Sequence, residues 1–272
     1  MKKCLSIAGS DCSGGAGIQA DLKAFSANGV FGMSVITSVV AENTSRVISV
    51  FNVPAAEIEN QIDAVFEDIE VDGVKLGMLP SAEIICTVCA KLSQYRPPVI
   101  VCDPVMVATS GDALTTENTL SAMKEKLFPM TDLLTPNIPE AEIISGVKIR
   151  SIDDFDTAAA EIMKMGVKNL LLKGGHFRGD CIDVLYMSEP DCHGNDNISF
   201  CAPHIDSPNT HGTGCTLSSA ITANLAKGAD MSSAVESAKK YVTEAIENSF
   251  TVGKGHSPVN HFYDYYGLKG IY

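Results

Sequence analysis

The stretch NTHGTGCTLSSAITANLAKG, residues 209–228, sets two glycines directly ahead of a cysteine and follows them with small helix-forming residues. Backbone N–H groups of Gly212, Thr213 and Gly214 would point into the space before the helix and form an anion hole. The positive end of the helix dipole would reinforce it. Such a hole stabilises the charge on a phosphoryl group in transfer. At a helix start a thiol is expected to have its pKa lowered from about 8.5, which makes Cys215 a candidate proton acceptor for an attacking hydroxyl. Two other readings stay open. Cys215 is a small buried residue at a helix start, or it is a covalent nucleophile beside His211, with His176 in a second glycine-rich loop.

Other polar residues stand where apolar runs stop. Lys173, in LLLKGGHF, follows a strand-like run and precedes two glycines, so it can reach a phosphate. Asp103 ends PVIVCD, and a carboxylate at that depth is costly unless paired or metal-bound. Asn137 and Glu140 are three apart at a helix start, a spacing of oxygen donors that suits magnesium with its water shell. Helix capping explains the same two residues. Glu42 and Asn43 end another apolar run, as an ordinary turn or as a polar hook for a ligand with donor groups. Met78, in VKLGMLPS, is more often core than ligand contact when taken alone. The loop Val105 to Gly111 has the composition to close over a ligand. Gly9, Gly14, Gly15 and Gly17 let the backbone approach a ligand closely. This first loop lacks the Lys-Ser/Thr of a P-loop. Gly15, Gly17 and Ala20 with Glu42 give only a partial dinucleotide fingerprint, too far past the strand. Asp21 is either a solvent-facing first-turn carboxylate or an acceptor facing the ligand.

Positioning these residues falls to alternating strands and helices. Apolar runs predict strands at KCLSIAG, MSVITSVVA, VISVFNV, GVKLGM, PVIVCD, DLLTPN, NLLLKGG, CIDVLYM and NISFCAP. Periodicity predicts helices near 17–28, 55–68, 81–94, 116–127, 139–145, 152–165, 213–227 and 231–248. The alternation predicts an α/β fold, a central mostly parallel sheet flanked by helices in three layers. With no linker or repeat, residues 1–272 read as one domain. Ligands of such sheets bind outside the carboxyl ends of the strands, which is where the polar residues above fall.

The formal net charge of −13 argues against nucleic acid. The apolar N-terminal run is too short for a signal peptide, and no run reaches membrane length, so the expectation is a cytoplasmic protein acting on a small molecule. Nine scattered cysteines without an export signal predict no disulfides. Cys86 and Cys89, a lone C-x-x-C, read as core residues of a helix.

The segments IAGSDCSGGAGIQADLKAF, VVAENT, KLGML, DPVM, TPNIPEA, KGGH, THGTGCTLSSA, GKG and PVNHF occur in this order along nearly the whole chain. The ordered set closely resembles the bacterial hydroxymethylpyrimidine/phosphomethylpyrimidine kinases of thiamine biosynthesis, relatives of the pyridoxal kinases. That resemblance implies a ribokinase-like fold and a homodimer. It implies ATP and Mg2+, and two successive transfers, to 4-amino-5-hydroxymethyl-2-methylpyrimidine and then to its monophosphate. Pyridoxal phosphorylation on the same scaffold is the alternative. By residue matching it makes Cys215 the catalytic base and has Gly9, Asp21, Glu42, Met78 and Val105 line the pyrimidine site. Lys173, Gly212, Thr213 and Gly214 serve ATP phosphates, and Asp103, Asn137 and Glu140 serve the metal and phosphates. The best-known family pattern has glutamine where this chain has Glu42. An ionised glutamate only accepts hydrogen bonds, unless the carboxyl or the ring nitrogen carries a proton.

Overall fold

In the computed structural model, residues 1–106, 116–175, 181–190 and 194–271 are described. Nine strands form one sheet in the order β3-β2-β1-β4-β5-β6-β7-β8-β9. They are β1 (Lys3–Asp11), β2 (Phe31–Asn43), β3 (Arg46–Asn52), β4 (Gly73–Leu76), β5 (Ile100–Cys102), β6 (Leu133–Leu134), β7 (Asn169–Lys173), β8 (Cys181–Met187) and β9 (Asn197–Ala202). The six strands from β2 to β7 run parallel, and β3, β8 and β9 pair antiparallel at the two edges. The central strands are short apolar runs buried on both faces, as a parallel sheet requires.

Helices cover both faces. α2 (Ala55–Phe66), α3 (Ala82–Tyr95), α5 (Ile138–Ser145) and α6 (Phe155–Met163) contribute Ile58, Val88, Ile144 and Ile162 to the larger core, against Ile100 and Cys102. α7 (Thr213–Ala226) and α8 (Met231–Glu247) pack Ile221 and Val235 on the opposite side against Val101, and α1 (Gly17–Ala27) joins α7 there through Phe25 and Ala223. Alternate residues of β5 thus feed opposite layers, the period-two rule of a strand. The three-layer α/β architecture expected from the sequence is the one observed.

Local departures have physical causes. The helix expected over 116–127 is α4 (Glu117–Ala122), which widens into a π-helical turn at Met123–Leu127 and ends in a 3-10 turn, Phe128–Met130, holding Pro129. A short helix α9 (Tyr263–Leu268) lacked an apolar stripe, and none of its residues is buried. On α3, Cys89 is buried but Cys86 is exposed, so the expectation that both are core holds for one only. No disulfide joins the described cysteines.

Candidate active site

Parallel strands bring their carboxyl ends to one edge of the sheet, and the polar residues gather there. Glu42 stands near the end of β2, Asp11 ends β1, Met78 follows β4, Asp103 follows β5, Asn137 follows β6 and Lys173 ends β7. Together with the start of α7 they line a cleft of about 710 Å³, within the ~300–1,000 Å³ usual for small-molecule sites. Gly9, Val105, Glu140, Gly212, Thr213, Gly214 and Cys215 line it too. Of the residues that family matching assigned to the site, Asp21 alone is missing from its wall.

The start of α7 is fixed by glycine. Gly212 caps the helix at φ +77, where its missing Cβ would collide with the Gly15 carbonyl. At Gly214 an added Cβ would lie 3.2 Å from Asp103 Oδ2 and 3.4 Å from Lys173 Nζ, so the helix start faces both charges directly. First-turn N–H groups have no intrahelical acceptor. That of Thr213 is committed in part to Thr210 O at 3.3 Å, while those of Gly214 and Cys215 have no acceptor among the described residues.

Asp103 is buried, and its depth is compensated: Lys173 Nζ donates to Oδ1 at 2.9 Å and Thr135 Oγ1 at 3.3 Å. Asn137 and Glu140 form a reciprocal capping box. Asn137 N–H donates to Glu140 Oε2 at 2.9 Å, and Glu140 N–H to Asn137 Oδ1 at 3.0 Å. Burial pushes the Glu140 carboxyl up to about 7, with Asp103 adding to burial and Lys173 opposing it. Two carboxyls thus share one lysine.

Two expectations are corrected here. Burial raises the Cys215 thiol to about 11 instead of lowering it; Lys75 and the Gly17 N–H favour the thiolate without overcoming that cost. Asp21 faces neither solvent nor ligand. It is fully buried in a pair with Lys75, at 2.8 and 2.9 Å, because α1 turns it inward under β4.

At the other end of the cleft the backbone of Gly9 leaves room for Met78, whose Cε would lie 2.6 Å from a Cβ there. An extra residue on β3, Ile48, faces the step from Ala41 to Glu42 and distorts the edge pair beside the carboxyl, which is half-buried on the cleft wall. Burial, then Asp11, push Glu42 up, and His211 pulls it down. Sequence reasoning overlooked Asp11. Its carboxylate accepts N–H bonds from Ser13 at 2.7 Å, Gly15 at 2.9 Å and Ala16 at 2.7 Å, and His211 Nε2 stands 3.0 Å away. Burial would raise this carboxyl, but those bonds outweigh it and hold it well below the carboxylate range. The signal was Asp11 followed by small residues able to fold back, an Asx turn. One oxygen each of Asp11 and Glu42 and one His211 nitrogen lie within 4.8 Å of one another. Asp11 already has four donors, so the trio is better read as an oriented polar corner than as a metal centre.

The C-terminal segment closes this corner from outside. His211 N–H donates to Ser257 O at 3.2 Å, and Gly255 N–H to Thr44 Oγ1 at 3.0 Å. The loop expected to close, Val105 to Gly111, lies outside the described residues beyond Met106, as does His176.

Residues 11–260 match the family model described as phosphomethylpyrimidine kinase. The chain belongs to this kinase family. It is 44% identical over 262 residues to the hydroxymethylpyrimidine/phosphomethylpyrimidine kinase of Bacillus subtilis, covering 96% of this chain and 94% of that one. It is 48% identical over 258 residues to the thiamine biosynthesis bifunctional protein ThiED of Geobacter sulfurreducens, covering 94% of this chain but 51% of that protein, so it spans about half that relative's length. Among solved structures, the ADP complex of Bacillus subtilis pyridoxal kinase superposes with TM-score 0.87 at 36% identity, over 97% of this chain and 99% of the other. Membership of this kinase family sets the partial dinucleotide fingerprint aside.

Proposed function

We propose that this chain is an ATP-dependent kinase that phosphorylates 4-amino-5-hydroxymethyl-2-methylpyrimidine and then its monophosphate. The observation that carries the reading is the start of α7 facing Asp103 and Lys173 across the cleft, with Cys215 beside them. In each transfer the acceptor oxygen bonds to the γ-phosphorus as the bond from phosphorus to the bridging oxygen breaks, and ADP leaves. Lys173 and the free N–H groups of Gly214 and Cys215 hold charge on the moving group. In the first transfer Cys215 Sγ takes the hydroxyl proton. With a thiol at about 11, little thiolate is present at neutral pH. Turnover then scales with the small thiolate fraction that takes up the proton as the bond to phosphorus forms.

The donor set fits magnesium. Asp103, Glu140 and Asn137 offer only oxygens, and the two carboxyls exceed their one lysine. Asp103 Oδ2, the Glu140 carboxyl and Asn137 Oδ1 keep lone pairs for the water shell of an ion. When bound, magnesium neutralises charge on the phosphates. Glu42 and Met78 are assigned to the aminopyrimidine, beside Gly9 and Val105. The pyridoxal kinase reading is favoured by the fold likeness to the Bacillus subtilis enzyme; Glu42 favours the aminopyrimidine, whose 4-amino group is a donor that pyridoxal lacks.

Cys215→Ala should lower kcat by about 10²-fold or more while the KM for ATP stays near the wild-type value. Unchanged turnover in a folded variant would make the thiol a plain helix-start residue.

A further inference from the structure

One charge pair in this molecule takes no part in the steps above. Lys75 of β4 and Asp21 of α1 are both fully buried and stand 2.8 and 2.9 Å apart. Asp21 also accepts from Ser6 Oγ at 2.5 Å and from Ser219 Oγ at 2.8 Å. A buried ion pair is a weak source of stability, since an apolar replacement often does as well. Its placement is more informative. Ser219 lies one helical turn after Cys215 on α7, on the same face. The pair is therefore tied to the turn that carries the thiol. Lys75 Nζ also sits at the cleft end of β4: a Cβ on Gly77, the residue before Met78, would lie 2.8 Å from it. Gly77 leaves the ammonium its space.

Charged and polar groups bear on the thiol from every side. Lys75 acts from β4, Asp21 from α1, Asp103 from the end of β5, Lys173 from β7 and the Gly17 N–H from the start of α1. After burial, Lys75 exerts the strongest of these effects and outweighs Asp21. Lys75 itself stays charged because Asp21 chiefly outweighs the cost of its burial.

We propose that Lys75 is a positioning residue for phosphoryl transfer: clamped by Asp21 and tied to α7 through Ser219, it holds a fixed positive charge behind the Cys215 thiol and so sets how much thiolate is present. The inference rests on Cys215 as proton acceptor. Lys75→Met alone would strand a buried carboxylate, so the test removes both charges, as Lys75→Gln/Asp21→Asn and as Lys75→Met/Asp21→Leu; either folded form decides. Alkylation of Cys215 by iodoacetamide is followed against pH, read on the Cys215 peptide by mass spectrometry. The midpoint should rise by about one pH unit, roughly tenfold less thiolate at a given pH. kcat should fall about tenfold and recover at alkaline pH, with the KM for ATP within about twofold of wild type. Ser219→Ala, which keeps both charges, should leave the midpoint near wild type. A folded double variant with the wild-type alkylation profile overturns the proposal. The profile needs no substrate, so it is independent of the Cys215→Ala turnover that tests the acceptor assignment itself.

Discussion

Glu42 stands where the family resemblance implies a glutamine, and its surroundings give a carboxylate there a consequence. The carboxyl is half-buried beside Asp11 and His211 and lines the cleft. A carboxylate accepts the hydrogens of an amino group in a charge-assisted bond, up to about twice as strong as a neutral one. Loss of such a bond costs about 1.5–3 kcal/mol, roughly 10- to 150-fold in affinity. Pyridoxal offers a phenolic oxygen and an aldehyde to the same space, and a phenolate would be repelled. Glu42→Ala should therefore lower kcat/KM for the aminopyrimidine alcohol about 10- to 150-fold and for pyridoxal far less. Parallel losses for both alcohols would mean that Glu42 supports its loop without reading the substrate.

The first turn of α7 depends on a histidine at the far end of the chain. Thr216 Oγ1 donates to Gly212 O at 2.8 Å, so with its single proton spent it accepts from His261 Nε2 at 3.0 Å. Burial, with some help from Lys23, pushes His261 down to about 3. In the fold it stays neutral, while in the unfolded chain it takes up a proton below about 6.5. Unfolding therefore binds a proton between these values, and stability falls as pH falls, by about 1.4 kcal/mol per unit from this group. Thermal unfolding from pH 7 to 5 should show a shallower loss of Tm in His261→Gln than in the wild type. Identical slopes would show that His261 is not the group responsible. This contact also marks the limit of what the sequence discloses. Strand ends were legible because an apolar run stopping at Asp103, Asn137 or Lys173 is a local signal, and a parallel sheet then gathers such ends by itself. Asp21 was misjudged because two of its partners are distant in sequence, Lys75 54 residues away and Ser219 198 away. The Cys215 thiol was expected to titrate low because helix position is local, whereas the burial that raises it comes from packing.

At the scale of the molecule, the edge of the sheet carries apolar side chains that no described residue covers. Val39 and Phe51 are paired across β2 and β3 and stand 50% and 67% exposed, with Ile48 at 63% nearby. Exposed apolar side chains paired on an edge hairpin can serve as an association surface, and a two-fold interface sets the same patch on both subunits. Sedimentation should give a dimer for the wild type and a monomer for Phe51→Glu; a wild-type monomer at micromolar concentration would exclude the homodimer. The central claim concerns what the cleft does as a unit: one site makes two successive transfers to an aminopyrimidine. The most direct measurement supplies the purified chain with ATP, magnesium and either the aminopyrimidine alcohol, its monophosphate or pyridoxal, and counts ADP released per acceptor while following phosphorus by NMR. The account predicts two ADP per alcohol, with the monophosphate appearing before the diphosphate, one ADP per monophosphate, and slower turnover of pyridoxal. A single ADP per alcohol, or pyridoxal consumed in preference to the aminopyrimidine, would contradict it.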